Sequence, residues 1–167
     1  MIVTLTASDI LKLAIGLGFT SKELLHAIDF YVVEKGQSIP DGFRNIPRIK
    51  TERGMAYVAL KKLDDSSCVF LKDNLCMIHK IRPMVCSSFP FVFSKQNDEV
   101  SWSLHVKRDI CPGIGEGDLI TEENLISMSH EPLESLEMYG AIAKIWNERD
   151  MAHTAEGFLE FLLTKLH

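Results

Sequence analysis

Apolar residues in the opening stretch fall at helical spacing, with Ile10, Leu11, Leu13, Ala14 and Leu17 on one face. Thr6 precedes them and Asp9 follows it by three positions, the pairing in which hydroxyl and carboxylate satisfy the free amides of a first turn. Gly16-Leu17-Gly18 ends that helix. A second pair, Thr20 and Glu23, predicts a second helix that turns Leu24, Leu25, Ile28 and Tyr31 or Val32 inward and closes near Gly36. Residues 37–53, with Pro40, Gly42, Pro47 and several basic side chains, read as an ordered loop. Gly54 then releases the apolar run Met55 to Leu60, which is expected as a strand.

Shorter, mixed patterns follow. Cys68 to Cys76 reads as two extended pieces joined by a Lys72-Asp73-Asn74 turn, a geometry that would bring both thiols to the same end of a hairpin. Arg82-Pro83 opens a short helix that Pro90 ends, and Cys86 lies one turn into it, where free amides would stabilise a thiolate. Phe91-Val92-Phe93 and Val100 to Val106 flank the polar turn Gln96-Asn97-Asp98, so a hairpin is expected with Trp102, Leu104 and Val106 on one face and His105 facing solvent. The last third is helical, with one stripe of Leu136, Tyr139, Ile142, Ala143 and Trp146 and another of Phe158, Leu159, Phe161, Leu162 and Leu166. Trp102 and Trp146 are expected in the core. These elements make an α+β fold: a mostly helical single domain, 1–167, with a small irregular β region organised around the cysteines, a cysteine-bearing part at 1–117 and a helical extension at 118–167.

Composition narrows the class. The chain has 167 residues, 46% hydrophobic and 25% charged, the ordinary globular range. No stretch reaches the roughly 18 uninterrupted apolar residues of a membrane span, and the start lacks the basic then apolar pattern of a secretory signal, so a cytoplasmic location is expected. A net charge of -5 argues against a general nucleic-acid binder. Charge is unevenly spread: residues 44–62 hold six basic side chains, from Arg44 to Lys62, against Glu52 alone, while residues 109–143 hold eight acidic ones and no Lys or Arg. Solvated faces are the ordinary reading of such runs, and a protein-docking surface is the alternative.

All four cysteines, Cys68, Cys76, Cys86 and Cys111, fall in one short window of the chain. In a reducing compartment, clustered thiols point to a metal or redox site before they point to disulfides, although four small buried side chains in one core would have the same spacing. Four thiolates satisfy one tetrahedral zinc or one [4Fe-4S] cluster, and spacing does not choose between them. His79 is the histidine nearest the cysteines, a candidate ligand or supporting donor. Arg82 is a candidate donor to sulfur or a partner in an ion pair. Gly113-x-Gly115-x-Gly117 lacks the spacing and context of a dinucleotide loop and reads as flexibility beside Cys111. No hydrolase, nucleotide-triphosphatase or metalloprotease motif occurs.

The runs Cys68-x-Phe70-Leu71, Cys76-x-Ile78-His79-x-x-Arg82-Pro83-x-x-Cys86-x-x-Phe89-Pro90-Phe91 and Cys111-Pro112-Gly113-x-Gly115 together resemble the YkgJ-type cysteine-cluster family, described as a zinc- or iron-chelating domain. Leu5-Thr6-x-x-Asp9-Ile10 is similar to that family's first helix. The resemblance implies a metal ion or iron-sulfur cluster held by Cys68, Cys76, Cys86 and Cys111, in a redox or metal-handling role. Through partial similarity to flagellin lysine N-methylases, it also implies an enzyme alternative. A structural zinc fold that docks a partner is the third reading. Members usually carry a Cys-x-x-Cys-x-x-Cys-Cys motif before the first helix, and this sequence has none. Two expectations follow: the thiols were lost, leaving at most a closed four-ligand site, or Met1 is an internal methionine and the motif is encoded upstream, leaving the site open beside residues 1–5.

Overall fold

The computed structural model describes residues 2–34, 36–39, 43, 45–97, 99–105 and 111–165. Met1, Pro40, Gly42, Arg44, Asp98, Val106, Asp109 and Leu166, on which parts of the sequence reading rest, lie outside them.

Helix α1 spans Ala7–Leu17, and its start is the reciprocal cap expected from Thr6 and Asp9. Gly18 closes it at φ 67°, where a glycine meets no Cβ penalty, and returns its N–H to the carbonyls of Ala14 and Ile15. Thr20 and Glu23 form a second reciprocal cap, but the helix they open, α2 (Ser21–Leu24), lasts one turn. The expected continuation through Tyr31 is instead strand β1, Ile28–Val32. The segment Ile28-Asp29-Phe30-Tyr31-Val32 is rich in β-branched and aromatic residues, and burying Ile28 and Phe30 on one face requires a period of two, which a strand supplies and a helix does not.

Strand β3 (Gly54–Leu60) forms as expected and is the centre of a three-stranded antiparallel sheet in the order β1-β3-β2. β2, Ile49–Thr51, lies within the segment expected as loop. It is three residues long, too short for a pattern of alternation to show. Beyond the end of β2, the N-terminal segment takes up the same edge of β3: Leu5 N–H donates to the Val58 carbonyl at 3.0 Å, and Leu60 N–H donates to that of Val3 at 2.8 Å. With both edges covered, burial is continuous from Ala56 through Tyr57, Val58 and Ala59 to Leu60.

Two further hairpins follow, β4 (Leu71–Lys72) with β5 (Leu75–Cys76), and β6 (Phe91–Gln96) with β7 (Glu99–Leu104). Between them lie a 3-10 turn at His79–Ile81 and helix α3, Met84–Ser88. In the second hairpin Trp102 faces Phe93 and Leu104 faces Phe91, so the described part of the expected face forms. It is not core. Trp102 is 45% exposed and touches Phe91 edge-on at 6.0 Å, so the packing of α3 and α4 on this two-stranded ribbon leaves much of the indole in water.

Helices α4 (Glu122–Asn147) and α5 (Ala155–Lys165) complete the chain. Most of their stripes reach the core: Tyr139, Ile142, Ala143 and Trp146 from α4, with Phe158, Leu159 and Leu162 from α5, join Ile10 and Leu13 of α1 and Phe30 and Val58 of the sheet, while Phe161 is partly buried and Leu136 lines a cavity instead. Trp146 is buried as expected, and its indole N–H donates to the Lys50 carbonyl at 2.9 Å. Asn147 extends that seam, accepting from Lys50 N–H at 2.7 Å and donating to the Arg48 carbonyl at 2.9 Å. Helices and antiparallel strands thus share one chain, an α+β arrangement, and no helix among the described residues is long and apolar enough to cross a membrane.

Candidate metal centre

The cysteines sit on short elements held by local turn chemistry. After β3 the chain doubles back, and Cys68 bridges to Lys62 while Val69 N–H donates to the Lys61 carbonyl. The β4–β5 hairpin then turns through Asp73 and Asn74, both at positive φ (49° and 61°), the conformation a two-residue hairpin turn needs and short polar side chains tolerate. Cys76 pairs with Leu71 at the end remote from the turn, and the Cys68 carbonyl accepts from Leu71 N–H at that same end. Cys68 is partly buried against the main core and Cys76 is exposed.

Cys86 lies in α3, partly buried against the same core as Cys68. Its thiol is pushed up to about 11, first by burial and then by the neighbouring Cys68, Cys76 and Asp9, with Arg82 pulling the other way. This corrects the expectation that helix amides would stabilise a Cys86 thiolate. α3 has five residues, its first N–H, from Met84, is taken by Asp9 at 2.9 Å, and those of Cys86 and Ser87 turn back to the Pro83 carbonyl. Cys68 and Cys76 thus lie near enough to Cys86 to disfavour its ionisation. Among the described residues, no three His, Cys, Asp or Glu side chains are arranged so that they could hold a metal ion. Cys111 is partly buried at the start of the loop into α4, where Ile114 N–H donates to its carbonyl.

His79 and Arg82 pair with each other: Arg82 Nη1 lies 2.9 Å from His79 Nε2, and Arg82 Nε donates to Ser87 Oγ at 3.2 Å. A guanidinium has no acceptor, so the facing imidazole nitrogen is unprotonated in that bond. Beside α3 opens a cavity of about 1040 Å³, walled by Met84 and Val85, by β6 residues such as Phe93, and by the α4 turn around Leu133 and Glu137. Pro132 lies inside α4 on this wall and has no N–H to give to the preceding turn. The cavity leaves no trace in the sequence, because its walls come from segments far apart in the chain. The reach of Asp9 to Met84 is equally hidden, since the Thr6-x-x-Asp9 signal accounts for the helix cap alone.

The chemistry of thiolate sulfur suits zinc or iron, and a bound cation would offset the repulsion that adds to burial at Cys86, although the described side chains are not gathered into a site for one. No curated protein and no solved structure matches the chain. A family model does match, across residues 3–112, and the chain belongs to that family: CxxCxxCC, a putative zinc- or iron-chelating domain.

Proposed function

We propose that this chain binds zinc or an iron-sulfur cluster through Cys68, Cys76, Cys86 and Cys111, and that metal handling or redox chemistry is its purpose. The observation that carries the reading is the family match over residues 3–112, which takes in all four cysteines. Cys111 joins on the strength of its Cys-Pro-Gly motif and its place within the matched residues. When bound, zinc would supply a structural or Lewis-acid centre and a cluster would supply electron transfer. The chain's own part is to carry Cys68 on its bridge to Lys62, Cys76 on β5 and Cys86 on α3, with Cys68 and Cys86 partly out of water. Four free thiols suit a reducing, cytoplasmic setting.

A second reading makes the same thiols a structural zinc site, with the acidic face of α4 docking a protein partner. It is favoured by exposed apolar side chains beside those acids, among them Leu119, Ile120, Ile126 and Met128. Anaerobic purification, metal analysis and an absorption spectrum test the reading together. A cluster gives broad visible absorption and zinc thiolate gives none, and a chain that takes up neither metal under reducing conditions refutes both forms.

A further inference from the structure

Asp9 is 2% exposed, and no other carboxylate is buried among the described residues. Its Oδ2 accepts from Thr6 N–H and from the Thr6 hydroxyl, each at 3.0 Å, and its Oδ1 accepts from Met84 N–H at 2.9 Å. An ionised carboxylate only accepts, so the Thr6 hydroxyl hydrogen is committed to Asp9, and in the 2.7 Å contact between Thr6 and Ser135 it is Ser135 that donates. One side chain thus ties α4, through Ser135 and Thr6, to α1 and to α3.

The tie to α3 has a specific cause. Pro83 occupies the N-cap of α3 and makes no side-chain cap, so the helix that carries Cys86 cannot satisfy its own first amide in the usual way. Asp9 supplies that cap from 75 positions away in sequence. Two more contacts align the same segment along α1: Lys12 Nζ donates to the Arg82 carbonyl at 3.5 Å, and Gly16 leaves room for Ile81, whose Cδ1 would lie 2.5 Å from a Cβ placed there.

We infer that Asp9 is a positioning residue for the thiol site, holding α3, and with it Cys86, against α1. This rests on the metal-binding reading above. It goes beyond that reading by assigning part of the site's geometry to a residue that is not a ligand.

Co²⁺ is the probe, because its visible bands report how many thiolates it meets. The full chain is titrated anaerobically as wild type, Asp9→Ala, Asp9→Asn and Trp146→Phe. The last is a destabilised control, a core change whose ring contacts are to His153, Phe158 and Phe161. Asp9→Ala is expected to weaken Co²⁺ binding about 10–100-fold, as loss of a supporting contact commonly does, and to reduce the thiolate bands per bound ion. Asp9→Asn keeps one oxygen for Met84 and should recover most of both. Trp146→Phe should lower the melting temperature while its bound-state spectrum stays that of wild type. If Asp9→Ala fails to fold, the Asp9→Asn spectrum decides, and bands weaker than wild type by a whole thiolate despite the retained cap overturn the inference. An Asp9→Ala spectrum and affinity equal to wild type also overturn it and leave metal binding standing, whereas a wild type that binds no Co²⁺ overturns both.

Discussion

Tyr139 presents a phenol in the middle of α4 with 0% exposure, and its hydroxyl has no hydrogen-bond partner among the described residues. Burial alone pushes its ionisation far above the ordinary tyrosine range. A hydroxyl taken from water without a partner costs about 1–3 kcal/mol, while removing one oxygen leaves a void whose lost contacts are worth about a few tenths of a kcal/mol. Tyr139→Phe should therefore stabilise the chain by about 1 kcal/mol. For a chain of this length that is a rise of roughly 2–4 °C in Tm. Its ring contact with Phe158, at 6.5 Å between centroids, is retained in the variant. Thermal unfolding followed by circular dichroism, at fixed metal content, reads the shift. A fall in Tm would refute the argument, since it would mean that the hydroxyl makes a bond worth more than its desolvation costs.

Trp146→Ala removes a fully packed indole and leaves the Lys50 carbonyl without its donor, so a loss of about 3–5 kcal/mol is expected, read as a Tm drop on the order of 10 °C; a drop within error would refute the placement of α4 on β2. Gly16→Ala should stay within about 1 kcal/mol of wild type, because a gain in helix propensity offsets a contact with the movable tip of Ile81, whereas Gly16→Val should cost about 1–3 kcal/mol by overpacking. Equal melting of the two variants would refute the contact. Asp9 has a folded pKa raised above its ordinary 3.8, first by burial and against the hydrogen bonds from Thr6 and Met84. Its contribution to stability is therefore full below pH 3.8 and is lost as pH rises through the raised value, so the Tm of wild type relative to Asp9→Asn should fall as pH is raised above 3.8; a relative rise would contradict the sign.

Legibility in the sequence follows the range of the interactions. Helix starts are readable because caps are local: Thr6 with Asp9, and Thr20 with Glu23, each act over three residues. The end of α2 is not readable, since what ends it is the pairing of Ile28 to Val32 with the distant strand residues Ala56 to Leu60. β2 is hidden for the same reason. The cysteine order is readable as a family signature, and the match over residues 3–112 agrees with it. The state of Cys86 is not, because the capture of Met84 N–H is decided by Asp9, a residue that sequence places in another element. Trp102 is misplaced by the pattern because alternation shows that a strand has an apolar face and not that anything covers it.

The Ser135 hydroxyl that reaches Thr6 belongs to α4, beyond the last residue of the family match. Descent and dependence therefore have different borders in this chain. The C-terminal helices cannot vary independently of the first turn of α1, since a relative that replaced Ser135 with an apolar residue would leave a dry lone pair on Thr6. A graft of residues 3–112 onto foreign helices would have to bring a donor to that same spot, or change Thr6 with it.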